Sequence, residues 1–255
     1  REEETEIKRI FLALFVACFA GTSSAQSAWM DSLQYSARAG FSIGGTSPVG
    51  LPASIRKLNR YRLTPSFQLG LDAERRMTPL WGIMLGLRLE NKGMDVDAQV
   101  KNYHMAMDRG GQHLEGQFTG NVRTKVNEWM FTIPLLATAH VGKTLRLKAG
   151  PYFSYVLSRH FDGYAHDGYL RVGSPTGPRI NIGKDSGQRG DFDFSDSMRR
   201  TQWGVMAGAD WWFSNRLGGY FDLNWGLTGV HHRSFKTIEQ TLYPIFGTVG
   251  VAYQL

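Results

Sequence analysis

Apolar residues recur at every second position through eight stretches of the chain, and each stretch keeps its charges on the opposite parity. In the first, Leu33, Tyr35, Ala37, Ala39, Phe41 and Ile43 alternate with Gln34, Ser36, Arg38, Gly40 and Ser42. In the second, Leu63, Phe67, Leu69, Leu71 and Ala73 oppose Thr64, Ser66, Gln68, Asp72 and Glu74. Trp81 to Leu89 sets its apolar positions against Arg88 and Glu90, and Trp129 to Ala137 sets them against Glu128, Thr132 and Thr138. Leu145 to Leu157 opposes Arg146 and Lys148, Trp203 to Phe213 opposes Gln202 and Asp210, and Leu217 to Leu227 opposes Asp222 and Asn224. The eighth stretch, Ile245 to Leu255, ends the chain given. Period two is the signature of a strand whose two faces meet different surroundings.

Two surroundings are compatible with this pattern. A soluble sandwich alternates too, but its polar face meets water and is usually rich in Lys and Glu. Here that face is Gly, Ser, Thr and Gln with a few charges of both signs, a mixture suited to a narrow, filled lumen. An Arg or Lys facing lipid at mid-bilayer would cost about 2 to 4 kcal/mol, which accounts for the sorting. The expected fold is therefore all-β, an eight-stranded antiparallel transmembrane β-barrel. Inside it, Arg38, Arg88, Arg146 and Lys148 would face Asp72, Glu74, Glu90, Glu128, Asp210 and Asp222 as an ion-pair network, because buried charges persist when paired. A lumen filled this way does not fit a general diffusion pore.

The connections alternate in length. Gly44 to Arg62, Asn91 to Asn127, Ser158 to Thr201 and Thr228 to Pro244 are long, whereas Arg75 to Leu80, Ala139 to Thr144 and Ser214 to Arg216 are short. Long outer loops and short periplasmic turns are the rule in such barrels, and this places both ends of the barrel in the periplasm. Tyr35, Trp81, Tyr155, Trp203, Trp211, Trp212, Trp225, Tyr243 and Tyr253 gather near segment ends, where amphipathic rings form interfacial girdles. Pro134 and Pro151 fall inside neighbouring strands and nearly opposite each other, so a bulge or a weakened seam is expected there.

Residues 1–25 read as an N-terminal extension and signal peptide, leaving 26–255 as the barrel. Lys8 and Arg9 precede the apolar run Ile10 to Ala20, and Ser23 and Ala25 supply small residues before a cut. Cys18, the single cysteine, lies in that run, so the mature chain would hold no disulfide or thiolate site. That run is too short to span a bilayer comfortably, and no stretch of about 18 or more apolar residues occurs elsewhere. A hydrophobic content of 42% with mean hydropathy of −0.29 agrees with strands apolar on one face only.

The segment Asn127 to Ser158 resembles the hairpin of PorT-type small outer-membrane barrels of Bacteroidetes, with Ile133 to Leu136 and Ala149 to Tyr152 at the family's IPLL and AGPY positions. Gln202 to Val230 is similar to the family's next hairpin, and Gly250, Tyr253 and Leu255 to its closing strand. The resemblance implies a barrel, and through PorT itself a connection with type IX protein secretion. It carries no catalytic or binding residue.

Candidate chemistry is sparse. His232 and Ser234, with Glu239 as orienter, could form a base and nucleophile pair resembling the His-x-Ser arrangement of barrel lipid A deacylases, although Phe235 stands where that pattern has Asn. Asp162-Gly163 and Asp167-Gly168 read as hairpin turns. Asp191, Asp193, Ser195 and Asp196 only loosely follow a calcium loop, since Asp196 replaces its glycine and Gln202 its closing Glu. Gly142-Lys143-Thr144 reads as a turn. Without residues 1–25 the net charge moves from +7 to +8, and much of the excess falls in the outer connections, including Arg56, Lys57, Arg60, Arg62, Lys92, Lys101, Arg123, Arg171, Arg179 and Arg189. Outer-membrane lipid and lipopolysaccharide phosphates are the expected partners, with secretion-machinery proteins a further class. Nucleic acid is not, because no basic groove is interleaved with aromatics. The sequence thus points to a non-enzymatic barrel with no cofactor or metal, with a lipid A hydrolase using His232 and Ser234, or a narrow solute channel, as alternatives.

Overall fold

The computed structural model describes residues 33–48, 54–62, 64, 66–232 and 241–255. The signal-like segment, Cys18, Ser234 and Glu239 lie outside the described residues. Among the described residues, eleven strands and a 3-10 turn follow in order: β1 (Leu33–Pro48), β2 (Ile55–Arg62), β3 (Phe67–Arg76), β4 (Trp81–Arg109), β5 (Gln112–Val141), β6 (Leu145–Val172), β7 (Arg179–Ile182), β8 (Gly190–Asp193), the 3-10 turn Ser195–Ser197, β9 (Thr201–Trp212), β10 (Leu217–Gly226) and β11 (Leu242–Gln254).

Eight of these close a ring in the order β1, β11, β10, β9, β6, β5, β4, β3 and back to β1. Closure removes the sheet edges that hydrocarbon would leave without hydrogen-bond partners. Its inner parity holds the polar residues, whereas Leu69, Leu71, Ile83, Leu85, Leu135, Leu147, Phe221, Val249 and Val251 stand exposed around the outside. Such a continuous apolar belt is the reverse of a water-soluble surface. The ring is a transmembrane β-barrel.

Three of the long connections are built largely of strand, and the fourth ends in the start of β11 at Leu242. β4 and β5 pair from Trp81↔Ala139 to Arg109↔Gln112, so Asn91 to Asn127 is a continuation of the hairpin wall. β6 continues to Val172 and is joined by β7 and β8, while β2 pairs with the upper part of β4. The reason lies in an inversion of the pattern. Up to Lys92 the even positions of β4 face the lumen and carry its charges, Arg88, Glu90 and Lys92, with Met84 packed on Leu136, Tyr152 and Met206, while the odd ones from Trp81 to Leu89 are apolar and face lipid. Beyond it, Val96, Ala98 and Val100 line the interior while Asp95, Asp97 and Gln99 take the outer side, now facing water. β5 mirrors this with Val122 and Val126 inside and Arg123 and Lys125 outside.

This outer part has its own core, in which Met94, Val100, Met105, Met107, Phe118, Val122, Val126, Phe161, Leu170, Phe192, Met198 and Val230 are buried together. The two Asp-Gly steps lie within β6 and are not turns: Asp162 and Gly163 pair with β5, and Gly168 pairs with Ile182 of β7. Asp167 has φ +48° beside a register shift, so the second step marks a bulge. Gly142, at φ +67°, does open the short β5–β6 turn.

The prolines produce no bulge. Pro134 pairs with Tyr152 and the register is unchanged at Ala137↔Ala149, but the ladder is interrupted between them, across Leu135, Leu136, Gly150 and Pro151, which is the weakened seam expected there. The first register shift between β5 and β6 above the prolines lies between Trp129 and Met130, where the barrel passes into its outer extension.

Candidate functional site

The lumen is packed around Asp210. Arg38 donates to both of its carboxylate oxygens at 2.8 Å, Arg146 Nε donates at 2.8 Å and Lys148 Nζ at 2.7 Å. Lys148 also meets Asp222 at 2.7 Å, and Arg88 donates to Asp222 at 2.9 Å while lying 3.7 Å from Asp72. Arg38 pairs in addition with Asp72, and Arg146 with Glu74. Glu74 accepts from Thr138 at 2.6 Å and bonds to His140 at 2.7 Å. The Tyr220 ring sits 4.9 Å from the Arg38 guanidinium and 5.2 Å from the Lys148 ammonium, so an aromatic face supplements the carboxylates. All of these charged groups are buried.

Room for the network comes from small residues on the facing strands. A Cβ on Gly86 would overlap the Asp72 carboxylate, and one on Gly208 would overlap that of Asp222. Glycine here allows close approach of a charged side chain to the wall.

Nearer the outer end, Glu90 accepts from Lys92 at 2.9 Å and from Thr132 at 2.6 Å. Lys92, expected among the outer-loop charges, is instead buried in the lumen. Its parity with Arg88 and Glu90 is the signal that places it there. Glu128 accepts from Gln202 at 2.9 Å but, among the described residues, has no ion-pair partner. So nine of the ten lumen residues singled out from the sequence are joined in ion pairs, and Glu128 is held by a neutral hydrogen bond.

On the outer extension, Arg123 and Asp95 pair at 2.7 Å, and the guanidinium holds the Asp95 carboxyl below the usual range. Arg179 lies over the Tyr169 ring at 4.2 Å and Arg189 over Tyr164 at 4.4 Å. The exposed strand β2 carries Arg56, Lys57, Arg60 and Arg62. Asp193 accepts from the backbone of Ser195 at 2.9 Å and Asp191 pairs with Arg189 at 2.7 Å, so the aspartates organise the local turn. No cluster of His, Cys, Asp or Glu with metal-ligand geometry exists among the described residues.

Of the proposed hydrolase pair, His232 is exposed and its backbone N–H donates to Ser197 at 3.0 Å, while Ser234 lies outside the described residues. His231 is the more constrained histidine. It bridges to Met198, packs edge-on to Phe161 at 4.7 Å, and burial lowers its pKa from 6.5 to about 4, with His232 contributing repulsion. The folded outer core therefore holds the neutral ring, and the unfolded chain binds the extra proton. The outer extension is expected to lose stability as pH falls from about 6.5 to about 4. Limited proteolysis near Ser195–Ser197 across this range should show it, and His231→Leu should remove that part of the pH dependence.

A closed strand ring with an apolar belt and a salt-bridged lumen defines an outer-membrane β-barrel protein. The family model "Outer membrane protein beta-barrel domain" matches residues 24–232, and the chain belongs to this family. A search of curated proteins finds no match. Among solved structures, similarity extends to the attachment invasion locus protein Ail of Yersinia pestis (8% identity, 88% of this chain and 97% of that one, TM-score 0.38). It extends also to Neisserial surface protein A (9%, 88% and 97%, 0.29) and to OprG of Pseudomonas aeruginosa (13%, 87% and 95%, 0.29).

Proposed function

We propose that this barrel is a non-enzymatic accessory or interaction component of the outer membrane, with the strand-built outer extension as its working part. The observation that carries this reading is the division of the barrel into two cores, an ion-paired lumen below and an apolar core above. A lumen closed by buried charge pairs supports an anchoring role better than solute flow. The ordered outer wall offers a rigid surface in place of loose loops. Its Arg and Lys side chains suit contacts with lipopolysaccharide phosphates, and its sheet suits contact with other envelope proteins.

The resemblance to PorT-type barrels extends the reading to type IX secretion. Deletion of the gene should leave surface-destined proteins trapped in the periplasm, with wild-type secretion restored by the full-length barrel. Unchanged surface delivery in the deletion strain would remove the secretion role. In planar bilayers, the purified barrel is expected to show no large steady conductance; a stable open level would favour the solute-channel alternative instead.

A further inference from the structure

Above the lumen plug a cavity of about 490 Å³ opens in the outer extension, in the range of about 300 to 1,000 Å³ typical of small-molecule sites. Met94, Val100, Met105, Val122, Phe161 and Phe192 form its apolar lining. Methionines and aromatics make an adaptable wall for a flexible chain. Among the described residues, the lining side chains that carry full charge are Arg56 and Lys57, both exposed on β2, and none is a carboxylate. An occupant with an anionic end is favoured and a cationic one opposed.

The cavity also reaches the outer surface. Its lining includes Ile245, which has the parity of the lipid-facing Val249 and Val251, and the exposed Leu58. Among the described residues, β2 is hydrogen-bonded to β4 and not to β1, so the wall is not laddered between β1 and β2 at this level. Tyr61 bridges part of the interval by donating to the Gly44 carbonyl. Ile245 is the ladder partner of Trp225, an exposed aromatic of the outer girdle. The mouth therefore lies at head-group height, where tails are on one side and phosphates or carboxylates on the other.

We infer that this cavity binds a single-chain amphiphile with an anionic head group, its hydrocarbon tail among Met94, Val122 and Phe161 and its head against Arg56 and Lys57. The tail passes from membrane to cavity without crossing water, and the basic pair on β2 fixes which end stays outside. A free fatty acid and a lysophospholipid share this chemistry.

The test is photocrosslinking in phosphatidylcholine nanodiscs, with hexadecanoate carrying a tail diazirine and a hexadecyl trimethylammonium probe carrying the same group. The anionic probe is expected to label the Met94 to Met105 segment and Phe161, with the cationic probe about tenfold weaker there, equivalent to about 1.4 kcal/mol. The Arg56→Glu, Lys57→Glu double variant should reverse this preference, and Val122→Trp should abolish cavity labelling by filling the space. Heat-modifiable migration on gels confirms that each variant has folded, and a variant failing that check is replaced by Met105→Trp or by Arg56→Gln, Lys57→Gln. Labelling confined to outward residues such as Leu71 and Val251, or equal cavity labelling by both probes, would overturn the proposal. Mass spectrometry of lipid retained in polymer-bounded native discs separates the sources. Enrichment of fatty acid or of lysophospholipid in wild type over Val122→Trp identifies the natural ligand, and equal lipid content in the two overturns the site.

Discussion

Replacing Asp210 by alanine is expected to destabilise the barrel by about 3 to 5 kcal/mol, the cost of stranding buried charge when one partner of an ion pair is removed. Asp210 receives Arg38, Arg146 and Lys148 simultaneously, and its side chain is fully buried. Its loss leaves four cations, Arg38, Arg88, Arg146 and Lys148, against the three carboxylates Asp72, Glu74 and Asp222. Removing a cation together with it should restore some of the loss, so the Asp210→Ala, Lys148→Met double variant should be more stable than Asp210→Ala alone. A urea titration of folding into phospholipid vesicles, read by gel migration, measures both. If Asp210→Ala lies within about 1 kcal/mol of wild type, a value typical of solvent-screened pairs, the lumen is wet and its charges are individually hydrated. Steady conductance in the bilayer experiment would then follow from the same cause.

The membrane part of the fold is readable from sequence because lipid on one side and a crowded polar lumen on the other give every strand the same alternation. Leu69, Leu71 and Ala73 against Gln68, Asp72 and Glu74 leave little freedom in which parity faces outward. The outer strands are hidden by a change of solvent. At Met94 the interior turns apolar and the outer face meets water, so the alternation continues with its sign reversed. A reading that seeks apolar residues on the odd parity stops at Asn91, although Val96, Ala98 and Val100 still alternate with Asp95, Asp97 and Gln99.

The same reversal explains why Lys92 escapes notice as a lumen cation. It is the last polar inward position before the apolar ones begin, and its partner Glu90 lies just two residues away on the same face. The register shift at Trp129 and Met130 further disguises β6, whose inward positions pass from even numbers such as Val156 to odd ones such as Phe161. Pattern alone also cannot show the outer cavity. Its lining is drawn from β1, β2, β4, β5, β6, β8 and β11, and the gap between β1 and β2 follows from pairing rather than from any local motif.

Leu71→Arg is expected to cost about 2 to 4 kcal/mol when the barrel folds into a bilayer, because the guanidinium would be carried to mid-bilayer depth on the outer face. Leu71 is 57% exposed and pairs with Leu87, midway along the β3–β4 hairpin and well above its short turn at 77–80. In water, an exposed leucine at such a place would accept arginine with a change near zero, within about 0.5 kcal/mol. Tyr253→Arg provides the internal control. It is on the same outward parity but lies level with Leu217, at the short-turn end of the wall, where the cost should fall to about 0 to 1 kcal/mol. A depth-dependent difference between these two variants in vesicles, absent when the same proteins are folded in short-chain detergent, would locate hydrocarbon around the belt. Equal, small effects at both positions would mean that the exposed leucines face water or another protein, and the membrane placement of the ring would have to be abandoned.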